Sequence, residues 1–193
     1  FKGVEERLGR LPNSIFDPFA GTGATLAYAK QMGIDSVGTE LTPLGVLIAN
    51  VRLNPPNDLN ASISFVEHIV KTTCDMNSHS FDDELVNWIG EENALALAHY
   101  MEAIKDVSDE RLKNWLMLAL SSALRPCSKW LAGSIKPQVD PFRTPTPIGK
   151  HFLRTARALK RNCELENLNT VTNVSARIIQ HDARTLPLDS DTI

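Results

Sequence analysis

A parallel α/β fold is what this sequence predicts, on three observations. NSIFDP at residues 13–18 is a short apolar run ending in a turn. The glycines of FDPFAGTGAT then open a small-residue helix, and SVGTE at 36–40 repeats the strand pattern before a second apolar helix. Strand, glycine turn, helix, strand, helix is a βαβα unit, whose strands lie parallel with a right-handed crossover.

The elements follow in chain order. GATLAYAKQMG (23–33) reads as a helix closed by Gly33, and PLGVLIANVRL runs apolar to Leu53 from a proline at its favoured first position. Residues 54–81 read as polar and irregular. ELVNWIGEENALALAHYMEAIKDV (84–107) and DERLKNWLMLALSSALR (109–125) read as two helices, the second capped by Ser108, with Arg111 where a capping box would place an acid. Pro126, Pro137, Pro141, Pro145 and Pro147 make the next stretch an extended loop. GKHFLRTARALKRNCELENL (149–168) is helical again, SARIIQHDA (175–183) is a strand, and LPLDSDTI leads toward another. The expected organisation is a βαβα part at 1–53, a helical insertion with a proline-rich basic loop at 54–148, and a basic helix returning to core strands at 149–193.

A chain of 193 residues can bury a real core without staples. Cys74, Cys127 and Cys163 form no CxxC pair and no zinc-ligand spacing, so reduced intracellular thiols and no metal are expected. No apolar run approaches the roughly 18 residues that span a bilayer, and no leader pattern opens the chain, so a cytoplasmic protein is expected. Phe1 at the start and DSDTI at the finish suggest a piece of a longer polypeptide. Charge is unevenly spread. Residues 125–161 hold nine Lys/Arg against Asp140 alone, a balance of +8, while the remainder carries −11.

The glycine turn lacks the Lys of a P-loop and the third glycine of a dinucleotide fingerprint, where Leu26 would crowd the helix against its strand. A tight turn without a ligand is the plain alternative.

DPFAGTG followed by VGTELTPLGVLIANVR resembles the cofactor-binding half of the amino-methylating DNA methyltransferases, the S-adenosylmethionine-dependent enzymes that modify adenine N6 or cytosine N4. The likeness covers residues 14–53 and resumes at 176–193, about a third of the chain. It implies a Rossmann-like methyltransferase fold with a helical insertion, incomplete at its C-terminal end. It also implies a cofactor set of Asp17, Pro18, Phe19, Gly21, Gly23, Glu40, Leu41, Asp182 and Ala183. Gly21 and Gly23 let the backbone approach the methionine moiety, and the helix they open offers its N–H groups to the carboxylate. Asp17 would meet the amino group, and Glu40 the ribose hydroxyls. Leu41 would lie on the adenine face. Asp182 would accept from the adenine amine, with Ala183 leaving space beside it. Each acid has a plainer reading: Asp17 as a cap, Glu40 as a solvated strand end, Asp182 as a loop acid. Three acids closing three strands favour a ligand, because that edge is where open α/β sheets bind.

The family's chemistry uses a [DNS]PP[YFW] tetrapeptide after the fourth strand, which orients the target amine and stacks on an extruded base. NPPN at 54–57 does not qualify, since Asn57 has no stacking face and the stretch follows a helix. No catalytic residue is therefore assigned. The tetrapeptide is expected just after Ile193, from the same polypeptide or a second subunit, and the chain alone is expected to bind cofactor without catalysing. Alternatives are an RNA methyltransferase acting on a guanine amine of transfer RNA, and a non-catalytic nucleic-acid-binding module.

Lys150, Arg154, Arg157 and Arg161 fall on one helical face, opposite Phe152, Leu153, Ala156 and Leu159. With Lys129, Lys136 and Arg143 of the proline loop they form the expected DNA-phosphate set. Trp130, beside Lys129 in a basic loop, is the one tryptophan kept as a candidate for base stacking, Trp88 and Trp115 being expected in the core.

Overall fold

The computed structural model describes residues 3, 6–7, 9–72, 81–167, 171 and 173–185. The chain divides into two compact units, Phe1–Pro55 with Cys163–Ile193, and Pro56–Asn162.

In the first unit, β1 (Ser14–Asp17), β2 (Asp35–Glu40) and β3 (Ala176–Gln180) form a parallel sheet in the order β1-β2-β3. Asp17 pairs with Gly38, and Glu40 with Gln180, so the strands finish at one edge. Central β2 is thin, with Ser36, Gly38 and Thr39 buried. A Cβ on Gly38 would lie 2.6 Å from the Ala20 Cβ and 2.9 Å from the Leu26 Cδ1, so only glycine lets the turn after β1 cross here. Helix α1 (Ala24–Gln31) starts from Gly23 and ends in a Schellman closure, Ile34 N donating to the Ala29 carbonyl and Gly33 N to that of Lys30. Helix α2 (Pro43–Leu53) has the bounds its sequence predicts, with Thr42 as N-cap and Pro43 as first residue. Ala20, Leu26 and Leu53 make the core with Ala27, Ala176 and Ile178. This is the α/β, Rossmann-like arrangement expected.

The second unit holds α3 (Leu59–Lys71), α4 (Asp83–Ile89), α5 (Glu91–Lys105) and α6 (Glu110–Cys127), and α7 (Ile148–Asn167) begins in it. Several expectations need correction. Pro126 lies inside α6 instead of opening the loop, and β3 stops at Gln180 instead of running to residue 183. Residues 59–71 are helical rather than irregular: Asp58 caps the N–H groups of Asn60 and Ala61, and Ser62, Val66 and Ile69 are buried one turn apart. Residues 73–80 of that stretch, and Cys74 with them, lie outside the described residues, as does 186–193 with its expected further strand. The helix expected over 84–107 is two, because Gly90 at φ 80° and ψ 156° ends α4 and opens α5. Asp109, rather than Ser108, caps α6, accepting from Arg111 N at 2.9 Å. An acid at the N-cap also meets the positive end of the helix dipole.

Trp115, Leu116, Ile104, Ile148 and Phe152 are fully buried in this unit, and the Tyr100 and Phe152 rings stand 5.5 Å apart. Trp88 is half-buried. Buried Asn93 ties the parts of the unit together. Its Nδ2 donates to the carbonyls of Ile89 (2.8 Å) and Thr146 (3.1 Å), and its Oδ1 accepts from Ile148 N (2.8 Å) at the start of α7. Among the described residues no helix is long and apolar enough to cross a membrane. Asn93→Ala would orphan these three buried groups and is expected to cost about 2–3 kcal/mol. The loss would show as a lower urea midpoint in fluorescence, since Trp88, Trp115 and Trp130 all lie in this unit.

Candidate cofactor site

Local chemistry shapes the edge where the three strands end. After β1, the Asp17 Oδ1 accepts from Phe19 N at 3.0 Å and turns the chain. Pro18 follows, and its carbonyl accepts from the buried Thr39 hydroxyl at 2.8 Å, fastening the turn to β2. Gly21 and Gly23 have φ of 53° and 77°, the left-handed region that glycine enters freely. They differ in surroundings. A Cβ on Gly23 would stand 2.9 Å from the Ala49 Cβ, so this glycine seats the turn on α2. A Cβ on Gly21 would meet nothing within 4 Å, so the turn is open on that side. Arg52 holds the outer flank, its Nη1 donating to the Thr22 carbonyl at 2.8 Å and its Nε pairing with Glu166 at 3.2 Å. No side chain caps α1, and its first N–H groups face the same end as the strand termini.

Glu40 is braced rather than loose. Its Oε1 accepts from the Thr42 hydroxyl at 2.6 Å and from Thr42 N at 2.8 Å. The hydroxyl is the main cause of a pKa below the ordinary 4.5, assisted by Thr42 N and by backbone N–H groups including that of Gly21. Gly45 makes room: a Cβ there would fall 2.7 Å from the Glu40 Cγ. Beyond β3, His181 N donates to the Glu40 carbonyl at 3.1 Å, bringing Asp182 and Ala183 to this edge. Asp182 is clasped by Arg184, whose Nη2 stands 2.5 Å from Oδ2 and whose Nε is 3.0 Å from both oxygens. That clasp, with Arg184 N, holds the Asp182 carboxyl down to about 2. Phe19 and Leu41 are exposed at 80% and 64%, apolar surface beside a row of acids. The edge thus offers fixed carboxylate acceptors, a helix N-terminus and uncovered apolar faces. That donor and acceptor set fits a cationic nucleoside such as S-adenosylmethionine.

Leu26, expected to crowd the helix against its strand, does not do so. Gly38 on the strand supplies the space that a third glycine on the helix would have supplied. Sequence reasoning also missed Thr42 and Arg184. Each lies two residues beyond the acid it holds, and at Asp182 that spacing marks an Asx turn.

NPPN terminates α2 at Asn54, and the Asn57 Oδ1 accepts from Arg111 at 3.2 Å, so the stretch is structural. The basic residues are not equivalent. Arg143 donates to the carbonyls of Trp130 (2.7 Å) and Pro126 (2.8 Å), and thus holds the proline loop together. Arg157 pairs with Glu67 at 2.8 Å. Lys136, Lys150, Arg154 and Arg161 are exposed, and Lys129 is half-buried. Trp130 is not presented for stacking, because Arg125 covers its ring at 4.5 Å and Trp88 lies 5.8 Å away.

Sheet and flanking helices make an α/β arrangement consistent with a Rossmann-like methyltransferase fold. Sequence comparison agrees. Over 125 residues, 59% of the chain, it is 26% identical to the type II methyltransferase M.MvaI of Kocuria varians. Over 72 residues, 37% of the chain, it is 35% identical to the type II methyltransferase M.MjaII of Methanocaldococcus jannaschii. The matched stretches span 27% and 13% of those relatives' lengths. No family model matches the chain, and no solved structure matches it. The resemblance to the DNA methyltransferase family carried by residues 14–53 is therefore supported by two methyltransferases.

Folding lowers the Glu40 pKa, so its ionisation contributes stability that is present above the unfolded value of about 4.5 and lost as pH falls through the lower folded value. Thr42→Val is expected to raise the Glu40 midpoint toward 4.5 in a carboxyl NMR titration, while Thr42→Ser leaves it unchanged.

Proposed function

We propose that this chain is the S-adenosylmethionine-binding part of a DNA methyltransferase acting on an exocyclic base amine, adenine N6 or cytosine N4. The observation that carries the reading is the convergence of Asp17, Glu40 and Asp182 at the ends of adjacent parallel strands around the Gly21–Gly23 turn. When bound, the cofactor supplies an electrophilic methyl group. The chain's residues bind and orient it. Gly21 and the start of α1 receive the methionine carboxylate. The Asp17 carboxylate faces the amino group, and the Glu40 oxygens accept from the ribose hydroxyls. Asp182 accepts at the adenine edge next to Ala183. Leu41 and Phe19 cover the apolar faces. Because Thr42 already fixes Glu40 in its ionised form, little reorganisation is needed on binding. The residues that position the target amine are supplied by another part of the polypeptide or a second subunit, and the working compartment is the cytoplasm.

Calorimetry on the chain as it stands tests this. S-adenosylmethionine should bind, and Glu40→Gln, which keeps the shape but loses the charge, should weaken it roughly tenfold or more. Equal affinity would remove Glu40 from the site.

In the same reading, DNA phosphates meet Lys150, Arg154 and Arg161 on one face of α7, with Lys129 and Lys136 from the loop. Arg143 and Arg157 contribute field while keeping their internal partners. Replacing Lys150, Arg154 and Arg161 together with Ala should lower duplex affinity and flatten its salt dependence by about 0.9 for each phosphate no longer neutralised. An unchanged slope would move the interface elsewhere.

A further inference from the structure

The proline loop carries a feature that phosphate binding does not use. Between Trp130 and Val139, which form an antiparallel bridge, the chain makes a narrow hairpin. Its legs are joined by Leu131 N to the Gln138 carbonyl at 2.8 Å and Asp140 N to the Lys129 carbonyl at 2.7 Å. The tip is fixed from inside. The Ser134 carbonyl accepts from the Trp130 indole at 3.1 Å and from Arg125 at 3.3 Å, and the Ser134 hydroxyl donates to the Lys136 carbonyl at 2.8 Å. Between these two anchored carbonyls stands Ile135, 95% exposed. An isoleucine this exposed, on a tip this firmly pinned, lowers solubility and adds nothing to folding.

We propose that Ile135 is a wedge that enters the base stack of duplex DNA, with Lys136 and Lys129 meeting the flanking phosphates. The inference rests on the DNA-binding reading above. Three observations favour a nucleic acid over a protein as the occupant. The hairpin lies in the stretch of +8 balance, and the carboxylate of Asp140, its one acid, is engaged locally by Phe142 N at 3.0 Å. Ile135 at the tip, even with the exposed Phe142 beyond the hairpin, is far short of the roughly 800 Å² per partner that a stable protein interface buries. It is the size of the apolar residues that open a base step. The pinned carbonyls also mean the wedge is already ordered before it meets DNA, so little conformational entropy opposes insertion. Trp130 then has a different part from base stacking: its indole N–H braces the residue before the wedge.

The test compares an intact duplex with the same duplex carrying one abasic site, where the space for a wedge exists in advance. The wild-type chain is expected to prefer the abasic duplex about tenfold or more, since the cost of unstacking is removed. Ile135→Ala should lose that preference while binding intact duplex at low salt within about threefold of wild type, and Ile135→Leu should restore it. Phe142→Ala, which removes an equally exposed apolar residue just beyond the hairpin, should leave the preference intact. A preference that survives Ile135→Ala, or that falls equally with Phe142→Ala, would overturn the wedge. If wild-type chain binds no duplex at all, the DNA-binding reading fails and the wedge fails with it. Duplex binding without abasic preference would sink the wedge alone.

Discussion

The absence of one methyl group on β2 governs the first unit. Gly38 leaves just enough space for Ala20 and Leu26 to lie across the central strand, and that close approach sets the height of the turn above the sheet edge. With the turn at that height, Ala20 N reaches the Thr39 carbonyl at 3.0 Å and Thr39 reaches back to the Pro18 carbonyl at 2.8 Å. Gly23 then seats the other end of the turn on Ala49. A side chain at Gly38 would push the turn outward and carry Gly21 and the start of α1 with it. Shape at the edge is therefore decided beneath it, by close packing that tolerates little volume change.

Each of the three acids at that edge has local partners of its own, which reconciles the plain and the functional readings. Asp17 does turn its own chain, Glu40 does anchor to a cap residue, and Asp182 does close a turn with Arg184. An ionised carboxylate offers about four acceptor directions, so the bonds at Asp17 and Glu40 fix each group and leave capacity for a ligand, whereas Arg184 takes up both oxygens of Asp182. Holding the charge in place beforehand is what the proposed binding of a cationic cofactor would draw on. The clasp on Asp182 differs in kind, because Arg184 is largely exposed and can swing away.

Legibility in the sequence follows the strength of local signals. Helix α2 can be read to its last residue because Pro43 and the apolar run to Leu53 mark both ends. The C-terminal ends of β1 and β2 are nearly as legible, since the turn residues after Asp17 and Glu40 stop each apolar run, whereas β3 ends at Gln180, short of the 183 that its sequence suggests. Reading fails where tertiary context outweighs composition. Helix α3 does carry its signal, an Asp58 cap and Ile63, Val66, Ile69 and Val70 at helical spacing, but it sits inside a longer stretch, 54–81, whose prolines and polar residues mask it. Gly90 is compatible with a helix interior on composition alone, whereas its φ of 80° divides two helices. The role of Arg143 is invisible because its partners are backbone carbonyls in a proline-rich loop, where few N–H groups are available to satisfy them. Residue charge shows where cations are, but not which of them are already occupied.

The pairing of β2 with β3 has a consequence for biogenesis. β1 and β2 pair across about twenty residues, yet Ser175, at the head of β3, bonds to Asp35 across 140. During synthesis at roughly 5–20 residues per second, β2 waits on the order of ten seconds with one row of backbone donors and acceptors unpaired. An open parallel edge of that kind invites pairing with another chain. The short, glycine-bearing and polar make-up of DSVGTE offers little adhesive surface over that interval. The same residues that let the glycine turn sit low on the finished sheet also keep the half-built sheet quiet on the ribosome.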